Sequence, residues 1–134
     1  MSNKLKIIMV VILLMVALFF MQALVGEGMM PIHENENGKT VYLETNDTFE
    51  VILESNPTTG HQWEVDQSDP TILKQGESEF IGTQGGVGSV GKQILHFKGI
   101  TKGQTVLTAI YRRPFEKNIA PLKLFKLNIV VNNP

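Results

Sequence analysis
The chain has 134 residues, with 12 Lys+Arg against 13 Asp+Glu, a formal net charge of −1, 43% hydrophobic and 19% charged residues, and no cysteine. That length carries one domain, and the composition is that of a globular protein rather than a disordered one. Scattered charge with no basic stripe argues against a nucleic-acid binder, and without cysteine there is neither a disulfide framework nor a lipid-modified N-terminal cysteine.

The first predicted element is a hydrophobic helix. Lys4 and Lys6 precede an apolar run from Ile7 to Val25 in which Gln22 is the only polar residue. A cleaved signal peptide usually has an apolar run of roughly 7–15 residues. At about 1.5 Å per residue this run reaches about 28 Å, close to the bilayer core. Gly26 is small enough to be cut after, but no clean A-x-A precedes it. Two readings stand: a signal peptide over residues 1–26, or a membrane anchor through residues 7–25. Either one exports the remainder, leaving it extracellular or periplasmic, or held on the outer face of the cytoplasmic membrane, with the lysines inside. The run has no polar face, which disfavours a buried core helix.

Residues 27–39, with "MMPIHENENGK" from Met29, lack periodicity and read as a flexible arm. Residues 40–134 then form the domain. Short segments rich in β-branched and aromatic residues follow one another, split by turn residues. They are Thr40–Glu44, Phe49–Glu54, His61–Val65, a weak segment over Ile72–Ile81, Lys92–Ile100, Thr105–Arg112 and Leu122–Val131. Phe49, Val51 and Leu53 share one face of their segment, and Phe125, Leu127, Ile129 and Val131 share one face of the last. About seven short strands and no helical period after residue 26 predict an all-β, Ig-like antiparallel β-sandwich.

If each strand runs opposite to the one before, the loops after strands two, four and six share one end. Those loops are "NPTTG", "GTQGGVGSVG" and "RPFEKNIAP", the most unusual in the chain, while "TND", "DQSDP" and "TKGQ" are ordinary turns at the other end. Peculiar loops gathered at one end of a scaffold mark a binding module. In the first loop, Pro57 fixes φ near −65° and biases Asn56 toward extended backbone. Asn56 can hydrogen-bond within its own loop, Thr58 and Thr59 are stiff at χ1, and Gly60 tolerates a positive φ. The result is a rigid protrusion, shaped before binding. The same residues could also make a plain turn.

"NPTTG" followed closely by Trp63, then a Gly-rich loop, then "RRPF" after a strand ending in Tyr111, resembles the chagasin family, exported inhibitors of papain-like cysteine proteases with an Ig-like sandwich fold. The likeness covers roughly Thr40 to Val131. It implies protease contacts from Asn56, Pro57, Thr58, Thr59 and Gly60, with Thr58 at the protease's catalytic centre. The family's G-x-G-G pattern falls on Gly88, Ser89, Val90 and Gly91, with valine where glycine is usual. An earlier register, Gly82 to Gly86, remains open. A bare backbone there can approach an enzyme closely and pair with it like an added strand. The third element is Arg113, Pro114 and Phe115, where the family most often has R-P-W. Phenylalanine keeps an aromatic face and loses the indole N–H. Arg113 can offer a planar fork to a carboxylate or stack on an aromatic ring.

The resemblance therefore implies a reversible, competitive inhibitor of papain-like cysteine proteases that blocks the active-site cleft with three loops. The alternative is an Ig-like surface module that binds another protein through the same loops. An enzyme is not expected: His33, His61 and His96 are far apart, with no H-x-H, HExxH or G-x-S-x-G spacing. No cofactor or metal is expected, Trp63 is assigned to the core, and a monomer is expected.

Overall fold
A computed structural model describes residues 2–24, 30–82 and 90–134. Helix α1 spans Asn3–Leu24. Its apolar side chains from Ile7 to Val16 are exposed, so this stretch packs against nothing in the domain. Among the described residues no helix is long and apolar enough to cross a membrane.

Alternation of apolar and polar residues builds the rest. The strands are β1 (Ile32–His33), β2 (Thr40–Glu44), β3 (Thr48–Ser55), β4 (Gln62–Gln67), β5 (Leu73–Gln75), β6 (Glu79–Ile81), β7 (Gly91–Gly99), β8 (Gly103–Arg112) and β9 (Lys123–Asn132). One sheet has the order β1-β3-β7-β5, with β6 also on β7, and the other has the order β2-β9-β8-β4. They face each other as a sandwich, as the sequence predicts. Phe49, Val51 and Leu53 meet Leu95 and Phe97 on one inner face, and Leu107, Phe125, Leu127, Ile129 and Val131 line the other. Leu53 and Leu127 are fully buried, and each such side chain contributes about 1.5–3 kcal/mol.

Three details depart from the sequence reading. The sheets are mixed rather than antiparallel throughout, because β1 pairs parallel with β3 and β2 parallel with β9. Parallel neighbours need no tight turn between them, so strands distant in the chain can be brought side by side. The weak segment over Ile72–Ile81 is two short strands, β5 and β6, interrupted at Gly76, and both run antiparallel to β7. The arm expected to be loose over residues 27–39 is docked where it is described. Ile32 and His33 pair with Val51 and Ile52, and the Glu34 carboxylate accepts the Glu54 N–H at 2.9 Å. Asn37 accepts the Lys126 N–H at 2.8 Å, and the Gly38 N–H donates to the Lys126 carbonyl at 2.7 Å.

Strand directions put residues 56–61, Val90 and residues 113–122 at one end of the sandwich. Ser55 at the end of β3 faces Gly91 at the start of β7, and Gln62 at the start of β4 faces Arg112 at the end of β8. The alternation predicted from loop order survives the split of the fourth strand because β5 and β6 run the same way.

Candidate functional site
Trp63, Gln93 and Tyr111 form the platform under the loop end. Trp63 is 3% exposed, and its indole N–H donates to the Glu54 carbonyl at 2.8 Å. Gln93 is buried at an inward position of β7. Its amide spans the sandwich, accepting from the Trp63 N–H at 2.8 Å and donating to the Trp63 carbonyl at 2.9 Å. The side chain thus acts as a strand partner for β4 and satisfies both groups in the dry interior. Tyr111 packs tilted against Trp63 and His61, with ring centroids 5.2 and 5.4 Å away, and its phenol oxygen accepts the Asn56 N–H at 2.9 Å.

On this platform Pro57–Thr59 form a single 3₁₀ turn. Proline suits the first turn because its missing N–H would have no partner there. Asn56 caps the turn, its side-chain oxygen accepting from both the backbone N–H and the hydroxyl of Thr58. The Thr59 hydroxyl donates to the Asn56 carbonyl at 2.8 Å and lies 2.9 Å from His61 Nδ1. The Gly60 N–H donates to the Pro57 carbonyl at 3.0 Å, and Gly60 leaves the turn at φ 82°, where a side chain would strain the backbone. Pro57, Thr58, Thr59 and Gly60 are exposed, so the loop protrudes, held by its own hydrogen bonds.

The third loop leans on the first. The Arg113 Nε–H donates to the Thr59 carbonyl at 2.9 Å, and its Nη1 reaches the Glu116 carboxylate at 3.2 Å. A Cβ placed on Gly60 would lie 3.7 Å from Arg113 Cγ and 3.8 Å from the Phe115 ring. Pro114 is half-buried, while Phe115 is 75% exposed and has Ile119 and Leu122, also exposed, in the same loop. The guanidinium expected to face a partner is therefore largely engaged within the chain, and the free group of this motif is the Phe115 ring.

The Gly-rich element is divided. Gly88 and Ser89 lie outside the described residues, as does most of the earlier register after Gly82. Val90 is exposed. Gly91 differs from expectation: it is buried as the first residue of β7. A Cβ there would come within 2.7 Å of the Ile81 carbonyl and 3.3 Å of the Ser55 carbonyl, so its missing side chain serves strand packing. Gln93 and Glu116 escaped the sequence reading. Gln93 left a signal, a polar residue at the inward phase of "KQILHF"; Glu116 left none. Among the described residues no group of three or more His, Cys, Asp or Glu is placed to hold a metal.

A sandwich that presents a hydroxyl-tipped loop and a bare aromatic ring at one end has the geometry of a protein-binding module. Comparison with known proteins narrows the class. The model of the chagasin family of peptidase inhibitors, I42, matches residues 42–129. Amoebiasin-1 of Entamoeba histolytica is 30% identical over 92 residues, covering 66% of this chain and 87% of its own. The solution structure of amebosin is 32% identical, covers 77% of this chain and 97% of its own, and has a TM-score of 0.63. The crystal structure of the cysteine protease inhibitor EhICP2 from Entamoeba histolytica has a TM-score of 0.68 at 23% identity, covering 76% and 94% of the two chains, a likeness of fold. This chain belongs to the chagasin family of peptidase inhibitors, which are not enzymes.

Proposed function
We propose that this protein is a reversible, competitive inhibitor of papain-like cysteine proteases, acting through the three loops at one end of its sandwich. The observation that carries the reading is the capped 3₁₀ turn of Pro57–Thr59, exposed and fixed by its own hydrogen bonds. Thr58 enters the active-site cleft and covers the catalytic cysteine and histidine. A protease binds the bond it cuts in extended backbone, paired like an added strand. The curled turn offers no such segment, so it occupies the cleft without being a substrate. Phe115 lies along one side of the cleft, and the Gly-rich loop, including Gly88, Ser89 and Val90, along the other. A loop shaped in advance avoids much of the ordering cost of association, on the order of 0.5–1.5 kcal/mol per immobilised side chain. Membership of a family of peptidase inhibitors supports the reading.

The same reading takes residues 1–26 as an export segment, residues 27–39 as the lead into the domain and residues 40–134 as the inhibitor domain, working as a monomer outside the membrane. Anchoring through residues 7–25 is the alternative fate of the segment.

The test is titration of residues 27–134 against papain and a cathepsin-L-type protease, with hydrolysis of a fluorogenic peptide as readout. Competitive inhibition in the nanomolar range, about −12 kcal/mol, is expected. Absence of inhibition at micromolar concentration against a panel of such proteases would leave the loops to another protein partner.

A further inference from the structure
We propose that Glu116 and Arg113 form a brace that sets the position of Thr58–Gly60 before any partner arrives, making Glu116 a positioning residue of the inhibitory loop. The proposal rests on the reading of this end as the protease-binding surface.

The brace is visible as a chain of bonds. Arg113 stands one residue beyond the end of β8, beside the exit of the first loop. Its Nε–H donates to the Thr59 carbonyl at 2.9 Å and its Nη1 to Glu116 Oε1 at 3.2 Å. Glu116 is turned back toward the guanidinium by its own backbone, whose N–H donates to the Arg113 carbonyl at 3.0 Å. The Arg113 stem and the Phe115 ring then close on the bare face of Gly60. The carbonyl held by Arg113 ends a single-turn helix, where no intrahelical donor reaches it. A charged donor makes a stronger hydrogen bond than a neutral one, and the Glu116 carboxylate fixes the plane of that donor. Neighbouring Arg112 is likewise engaged, with its Nε and Nη2 at 3.0 and 2.9 Å from Glu64 Oε2. Both arginines of the pair thus make bonds within the chain, Arg112 between β8 and β4 and Arg113 between the first and third loops.

A partly exposed ion pair contributes little to global stability, so variants lacking it remain folded. The experiment uses the full chain with Arg113→Met, Glu116→Ala and the double variant. Two readouts are taken: amide exchange at Gly60 in the free protein, and inhibition of papain. Glu116→Ala is expected to speed Gly60 exchange and to weaken inhibition about 3–10-fold, Arg113→Met about 10–100-fold, and the double variant no more than Arg113→Met, as residues in one network couple rather than add. Glu116→Ala with wild-type exchange and inhibition would overturn the brace, as would losses that multiply in the double variant; Arg113 would then be a contact residue. If the wild-type chain fails to inhibit papain and the rest of the protease panel, the protease reading falls, and Gly60 exchange still decides the brace.

Discussion

The two ends of the sandwich are both closed by hydrogen bonds, but with a different balance of backbone and side-chain ties. At the end away from the candidate site, most ties run backbone to backbone across turns: Asn46 N–H to the Gly99 carbonyl at 2.8 Å, Gly99 N–H to the Asp47 carbonyl at 2.9 Å, and Ile100 N–H to the Ile72 carbonyl at 2.8 Å, with the Asp69 N–H donating to the Thr105 hydroxyl at 2.9 Å as a side-chain tie among them. Asn46 takes a positive φ of 75° there, a conformation asparagine tolerates. At the loop end the ties between loops run through side chains: the Tyr111 phenol to Asn56, and Arg113 to Thr59. Backbone bonds across turns follow from the fold and depend less on side-chain functional groups. Side-chain ties make shape depend on a few identities, which can change without unfolding the protein.

That contrast can be broken at several points. The largest effect is expected at the tip of the first loop. Thr58→Arg, or deletion of Pro57–Thr59, should reduce inhibition at least about 100-fold, the scale of a hot-spot loss, with the melting temperature little changed. A parallel loss of folding would mean that the tip is not separable from the scaffold. Next comes Gln93→Leu, which leaves the Trp63 N–H and carbonyl buried without partners. Each orphaned group costs about 1–3 kcal/mol, so denaturant unfolding should show a stability loss of about 2–5 kcal/mol. Wild-type stability would remove the glutamine from the account of the platform. Phe115→Ala should weaken inhibition about tenfold by removing exposed apolar area that a partner covers, and Phe115→Trp should restore or improve it; equal inhibition by all three proteins would take the ring out of the interface.

The smallest effect belongs to the opposite end. The Thr71 hydroxyl and N–H both donate to Asp69, holding its carboxyl below the usual 3.8. A lowered folded-state pKa adds stability that is present above the unfolded value and is lost as pH falls through the folded one. Asp69→Asn should therefore lower the melting temperature slightly at neutral pH, match wild type in strong acid and leave inhibition untouched. A deficit of the same size at both pH values would show that charge is not the cause.

Much of the sandwich was legible because burial on one face forces alternation, as in Phe49–Val51–Leu53 and Phe125–Leu127–Ile129–Val131. Trp63 was correctly assigned to the core. Pairing was not legible, since a period of two says which face is inside and nothing about which distant strand lies alongside; hence the parallel β2–β9 and β1–β3 pairs were missed. The docked arm escaped because Ile32–His33 is too short to show a period and is held by Glu34 and Asn37, residues that also suit a loose segment. In the site, the turn chemistry of Asn56, Pro57 and Gly60 was local and therefore readable. The Arg113–Thr59 bond joins residues at two strands' ends, far apart in the chain, so the sequence offered Arg113 as an outward fork without showing that its Nε–H is tied to the first loop. Gly91 was similarly assigned to a surface on account of its motif, whereas the neighbouring carbonyls of Ile81 and Ser55 explain it.

The central claim is that the loop end occupies the protease's active-site cleft, and it is tested most directly by binding to papain before and after its catalytic cysteine is capped with a bulky peptidyl alkylating agent. The account predicts tight binding to the free enzyme and loss of binding to the capped one. Equal affinity for both would place this protein elsewhere on the protease and contradict the cleft-filling role of Thr58.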